Sequence, residues 1–171
     1  MPILTQTLAA NTTIAIDLSS LPTSSTFLTG RESAQVDNST TNYIDAIVNV
    51  KALVGHATTA PVVGQIIALY VWGADTSLVT TPIDTLAGAD AARTLAHVSV
   101  LNSLRSAGAA GVTTITPVGL SYYIQPFSVA AMFGGVMPKF WGLYVAQNQA
   151  GALAAAQTGK FSFNGVTYTS T

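Results

Sequence analysis

The chain contains no cysteine, so it has no disulfide, no thiolate metal site and no thiol nucleophile. It is also poor in charge. Asp, Glu, Lys and Arg together make up 8% of its 171 residues, against roughly 25% in an ordinary soluble domain. No acid follows Asp90, and Lys139 is the one charged residue between Arg105 and Lys160. The net charge is −1 and there is no basic stripe to neutralise phosphates, which argues against nucleic acid as a partner. No Lys/Arg cluster flanks an amphipathic stretch, so no membrane surface is expected as a partner either. Long apolar runs are missing too. Pro61 to Gly73 is shorter than the roughly 20 residues of a spanning helix, and Gln65 interrupts it. The first cation is Arg31, so the N-terminal stretch lacks the basic region of a signal peptide.

Hydrophobic residues, by contrast, reach 49%. A lone monomer normally stays soluble by covering itself with charge. A surface this short of charge is expected to be covered by copies of the chain or by a larger assembly. That favours a structural protein over a catalyst, and no cofactor is expected.

Short strands separated by turns dominate the pattern. From Tyr43 to Val54, apolar residues at even positions alternate with Asp45, Asn49 and Lys51, the period of a half-wet strand. Val62 to Gly73 is apolar on both faces, so it is either central and sandwiched or faces another subunit. Arg93 to Leu104 alternates again, Ser106 to Gly111 reads as a flexible turn, and Val112 to Thr116 as a short β-branched run. Leu120 to Phe127 and Phe140 to Ala146 read as aromatic strands, with Ser128 to Gly135 a short helix or bent crossing between them. Asn164-Gly165 between Phe161/Phe163 and Val166/Tyr168 predicts a type I′ hairpin. The expected fold is all-β: an antiparallel β-sandwich, jelly roll included, with a barrel as the alternative. Residues 42–171 form this domain. Residues 1–41, rich in Thr, Ser and Asn, form an extended N-terminal arm that docks on a neighbour, or else an edge strand and loop of the same domain.

No constellation of catalytic residues stands out. His56 and His97 lack metal-ligand spacing, and the seven acids form no evident pair. A jelly-roll hydrolase would have to draw on Asp45, Asp75 or His97. The aromatics Tyr122, Tyr123, Phe127, Phe133, Phe140, Trp141 and Tyr144 read as core or interface before they read as a sugar platform.

Within Pro126–Gly159, Phe133-Gly134-Gly135 leads through Pro138-Lys139 into an aromatic strand with Trp141. A turn with Asn148, Gly151, Ala152 and Leu153 follows. This segment resembles small virion structural proteins of tailed bacteriophages. The resemblance covers about a fifth of the chain. It implies a capsid-associated or decoration (cement) protein with a β-sandwich core, present in many copies, and it carries over no catalytic residues. The expectation is therefore a dimer or trimer on the outer surface of the virion capsid, bound to the major capsid protein. A tail-fibre or baseplate component, or a carbohydrate-binding sandwich module, is the alternative. The candidate interface residues are Leu4, Leu8, Ile14 and Ile16 in the arm, and Phe133, Lys139, Phe140, Trp141 and Tyr144 in the resembling segment.

Overall fold

Alternation of apolar and polar side chains builds the first sheet, and apolar residues on both faces build the second. The computed structural model describes residues 4–112 and 118–170. In chain order the strands are β1 (Leu4–Leu8), β2 (Thr12–Thr13), β3 (Thr29–Glu32), β4 (Val36–Asp37), β5 (Asp45–Val50), β6 (Leu53–Val54), β7 (Ile66–Ala74), β8 (Ala91–Thr94), β9 (Arg105–Gly111), β10 (Ser121–Tyr122), β11 (Phe127–Ser128), β12 (Phe140–Gln147) and β13 (Phe161–Ser170). Two short helices, α1 (Val98–Ser103) and α2 (Val129–Met132), complete the set.

One sheet runs β1-β13-β5-β11, with β2 also on β13. The other runs β8-β3-β12-β7-β9, with β4 also on β12. All pairings in both sheets are antiparallel, and the sheets pack face to face as a β-sandwich. A small β10-β6 ladder lies beside them. Between the sheets, Val48, Phe161 and Phe163 meet Ile67, Leu69, Val71, Trp141, Leu143 and Val145. The Trp141 and Phe163 rings pack edge to face, 5.3 Å apart. This edge-to-face contact adds about 0.5–1.5 kcal/mol beyond the area it buries.

The second face of β7 and β12 is covered by the chain itself. Residues 75–104 cross the outer face of the sheet, joining it on the way as β8 beside β3, and lead into β9. They place Leu78, Leu86, Leu95, Leu101 and Leu104 against Trp72 and Tyr144. The Tyr144 hydroxyl donates to the Leu28 carbonyl at 2.6 Å, and its ring lies against Gly30, where any Cβ would collide with it. The doubly apolar strand is thus central in one protomer, with no second subunit needed to cover it.

Four expectations are corrected. Arg93 to Leu104 is a short strand, β8, followed by α1, because Leu101 and Leu104 at helical spacing reach the outer-face cluster. Ser106–Gly111 belongs to a strand, β9, which pairs with β7 through a bulge; small residues suit it because at Gly111 a Cβ would strike the Gln65 carbonyl. Asn164-Gly165 is no turn but the middle of β13, paired to Ile47 and Ala46. The Asn164 amide donates to the Ala9 carbonyl and its oxygen accepts from the Asn49 side chain. Gly165 serves the close approach of the Tyr43 ring, which would lie 2.5 Å from a Cβ there. Lastly, within residues 1–41, expected as an arm docked on a neighbour or as an edge strand and loop, Ile14, Ile16, Leu18 and Leu21 are core of the same chain, and β3 is an interior strand between β8 and β12. Of the run Val112–Thr116, only Val112 lies within the described residues.

Candidate assembly surface

The elements that leave the sandwich do so at one end. β13 continues past its last core residue, Val166, and pairs with β1 from Leu4↔Ser170 to Leu8↔Val166. Every residue of β1 is exposed, so the two strands form a projecting ribbon. Directly paired residues share a face. Leu4, Gln6 and Leu8 therefore share one with Tyr168, and Thr5 and Thr7 share the other with Thr169 and Thr167. The apolar members are well exposed: Leu4 69%, Leu8 59% and Tyr168 57%.

A second projection stands beside the ribbon. Ile44 donates its N–H to the Val166 carbonyl. The loop before it is tied by Asn38, whose side chain bonds both the N–H and the carbonyl of Tyr43. The Asn38 N–H in turn reaches the Lys139 carbonyl at 2.7 Å. That contact brings in the loop 133–139, with Val136 71% exposed at its tip. Positive φ at Gly134 (71°) and Gly135 (91°) lets the backbone reverse there at little cost. Asp45 fixes the helix that precedes the loop: its carboxylate accepts from the Ala130 N–H (2.9 Å) and the Ser128 hydroxyl (2.7 Å), while Ser128 caps α2. Under the loop lies a cavity of about 280 Å³ lined by Gly73, Asp75, Phe133, Val136, Met137 and Pro138.

Electrostatics at this end are sparse. Lys139 is exposed and joins no ion pair among the described residues. Asp37 faces solvent, and the Ser39 hydroxyl and N–H hold its carboxyl below the usual carboxylate value. Between β2 and β4, on the same side of the sandwich, a groove of about 390 Å³ opens, with Thr12, Thr13, Gln35, Asp37 and Thr41 on its walls and Tyr43 and Phe163 inside.

The candidate interface residues divide accordingly. Leu4 and Leu8 are exposed on the ribbon, Lys139 is exposed, and Phe133 and Phe140 are half-buried beside it. Ile14, Ile16, Trp141 and Tyr144 are corrected: each is buried within the chain's own core and has no surface to offer a partner. Val136, Ile44 and Tyr168, also exposed at this end, are not among the residues expected from the sequence. Tyr168 was hidden by the hairpin expectation, and an isolated Val or Ile in a loop carries no periodic signal. Elsewhere, the His56 ring nitrogen Nδ1 accepts from the Thr59 N–H and so shapes its own turn, while His97 begins α1 without a side-chain cap. Asp45 is taken up by α2. Among the described residues no three His, Cys, Asp or Glu side chains gather as a metal site. No protein family, curated protein or solved structure matches the chain.

Proposed function

We propose that this protein is a virion structural protein, a capsid decoration (cement) protein that binds the outer surface of a phage head in many copies and stabilises the shell. The observation that carries the reading is the projecting end of the sandwich. In a chain with 8% charge, Leu4, Leu8, Ile44, Tyr168 and Val136 are exposed there, with the exposed cation Lys139 at the end of the same loop as Val136. The mechanism is burial of that end against the major capsid protein and against sister copies, with Lys139 meeting an acidic position on the shell. A standard interface of about 1,600 Å², a little over half of it apolar, yields roughly 20 kcal/mol gross at about 25 cal/mol per Å². Lost freedom on association offsets about 4–15 kcal/mol of this. With few ionic groups to desolvate, more of the gain survives. The reading is non-enzymatic.

Co-sedimentation of the purified protein with tailed-phage heads stripped of decoration tests it. Saturable binding at a fixed copy number per shell, with a rise in the shell's melting temperature, is the expected result. A second reading, a carbohydrate-binding module of a tail fibre or baseplate, draws on the groove, which Thr12, Thr13, Thr41, Asp37 and the aromatic Tyr43 line. Trp141 lies against Phe163, which lines that groove. Saturable glycan binding with a change in tryptophan emission, and no binding to heads, would replace the first reading by the second.

A further inference from the structure

We propose that β1 pairs edge to edge with β1 of a second copy of this chain, antiparallel, about a two-fold axis passing through Gln6. The proposal rests on the assembly reading for its surface and names the partner that part of this surface takes.

Among the described residues, no strand lies along the outer edge of β1. Such an edge presents a row of backbone N–H and C=O groups, and proteins that stay monomeric blunt it with charge, proline or a bulge. None of these is present: β1 has neither charge nor proline, its five pairs with β13 run without a register shift, and β13 is uncharged from Phe161 to Ser170.

The order of residues in β1 selects the occupant. Leu4-Thr5-Gln6-Thr7-Leu8 reads the same in both directions. In an antiparallel pair centred on Gln6, Leu4 lies opposite the Leu8 of the second copy, Thr5 opposite its Thr7, and Gln6 opposite its Gln6. Each cross-strand pair is thus like with like, and Thr–Thr pairs are favoured neighbours. The match extends beyond β1. On one face Thr169 and Thr5 of one copy line up with Thr7 and Thr167 of the other, a row of threonines four strands wide. On the other face the Gln6–Gln6 pair is flanked by Tyr168 from each copy, and each Leu4–Leu8 pair stands between the Ser170 position of one copy and the Val166 position of the other. An acidic or basic partner would find no opposite charge on either strand, whereas a second copy brings no like-charge repulsion and leaves no charge unpaired.

The size of the contact sets its strength. Five residues span about 17 Å, so the strand pair alone covers less than the roughly 800 Å² per partner of a standard interface. Self-association in dilute solution is therefore weak and concentration-dependent. On a shell that holds neighbours close, the same pairing gains from high effective concentration.

Single-cysteine variants of the full chain test the register, since the chain has no other thiol. Under mild oxidation Gln6→Cys should form a covalent dimer several times faster than Thr5→Cys. In the proposed register the two copies of position 5 stand about 7–8 Å apart, beyond disulfide reach. A mixture of Thr5→Cys and Thr7→Cys should give the mixed dimer. Gln6→Lys and Gln6→Glu, each with an unchanged circular-dichroism spectrum, should each lose self-association in sedimentation-velocity runs and regain it when mixed. Equal rates for the Gln6→Cys and Thr5→Cys variants, or undiminished association of Gln6→Lys, overturn the proposal. These assays use the protein alone, so loss of self-pairing is seen separately from loss of binding to heads.

Discussion

Replacing Glu32 by alanine should be among the most damaging single changes in the molecule. Its side chain is fully buried on β3, yet its carboxylate is satisfied on every side. It accepts the Gly88 N–H at 2.7 Å, the Ala87 N–H at 3.0 Å and the Arg93 Nε at 2.8 Å. Those partners anchor the excursion 75–104 to the sheet, next to the buried Leu86. Alanine leaves two backbone donors without an acceptor, at about 1–3 kcal/mol each. It also strips the partner from Arg93, whose side chain is 21% exposed and regains only part of its hydration. Breaking a buried pair by removing one member costs about 3–5 kcal/mol, against a total stability of about 5–15 kcal/mol. For a chain of this length that corresponds to a fall of about 10 °C in Tm. Urea unfolding of the parent and of Glu32→Ala, at matched m-values, measures the difference. Native-state hydrogen exchange should show the Ala87 and Gly88 amides opening first. A loss below about 1 kcal/mol, or protection of those two amides equal to the parent's, would refute the reasoning that this carboxylate holds the outer layer down.

Gly165→Ala should cost about 1–3 kcal/mol by overpacking, and Tyr43→Ala in the same chain should recover part of that loss, since the ring is what a Cβ would strike; a denaturation cycle reads the coupling. Burial raises the phenols of Tyr70, Tyr122 and Tyr144, with Tyr70 adding to the effect on Tyr144. The folded chain therefore keeps protons that the unfolded chain gives up near pH 10. Stability should be intact below that value and fall as pH rises past it. Urea midpoints between pH 8 and about 11, read with near-ultraviolet absorbance, check this. Val136→Asp, at an exposed loop tip, should leave Tm within about 0.5 kcal/mol equivalent of the parent and weaken binding to phage heads at least tenfold; unchanged binding would remove that loop from the contact.

The sandwich was legible where one strand carries its own pattern. β5 declares itself by alternating Ala46 and Val48 with Asp45 and Asn49, and β7 and β12 by apolar faces on both sides. What covers the second face of β7 was not legible. Leu78, Leu86, Leu95, Leu101 and Leu104 are scattered through a stretch rich in small and polar residues, and no periodicity marks them as a layer. The same limit misplaced Trp141 and Tyr144: an aromatic strand reads alike whether it packs on its own chain or on a neighbour. Asn164-Gly165 obeyed a local rule that tertiary packing overrode, as the Tyr43 ring claimed the glycine. Of the projecting end, Leu4 and Leu8 stand out in the sequence as apolar residues of a Thr/Ser-rich stretch and Lys139 as part of the resembling segment, and the structure leaves all three exposed. The exposure of Ile44 and Tyr168 follows from β13 running on beyond the sandwich, and that of Val136 from the loop 133–139, neither of which a local sequence pattern encodes.

The pairing of β12 with both β3 and β7 has a consequence for how the molecule is made. Glu32 must wait for Tyr144, and Val71 for Leu143, before the central ladder can close. During synthesis at about 5–20 residues per second, β7 emerges with two apolar faces and no permanent neighbour. Nucleation is thus postponed until the later strands arrive, and refolding belongs in the millisecond-to-second range of topologies dominated by distant partners. Overproduction at lower temperature, or with a holdase chaperone present, is the practical remedy for a nascent chain that stays sticky this long.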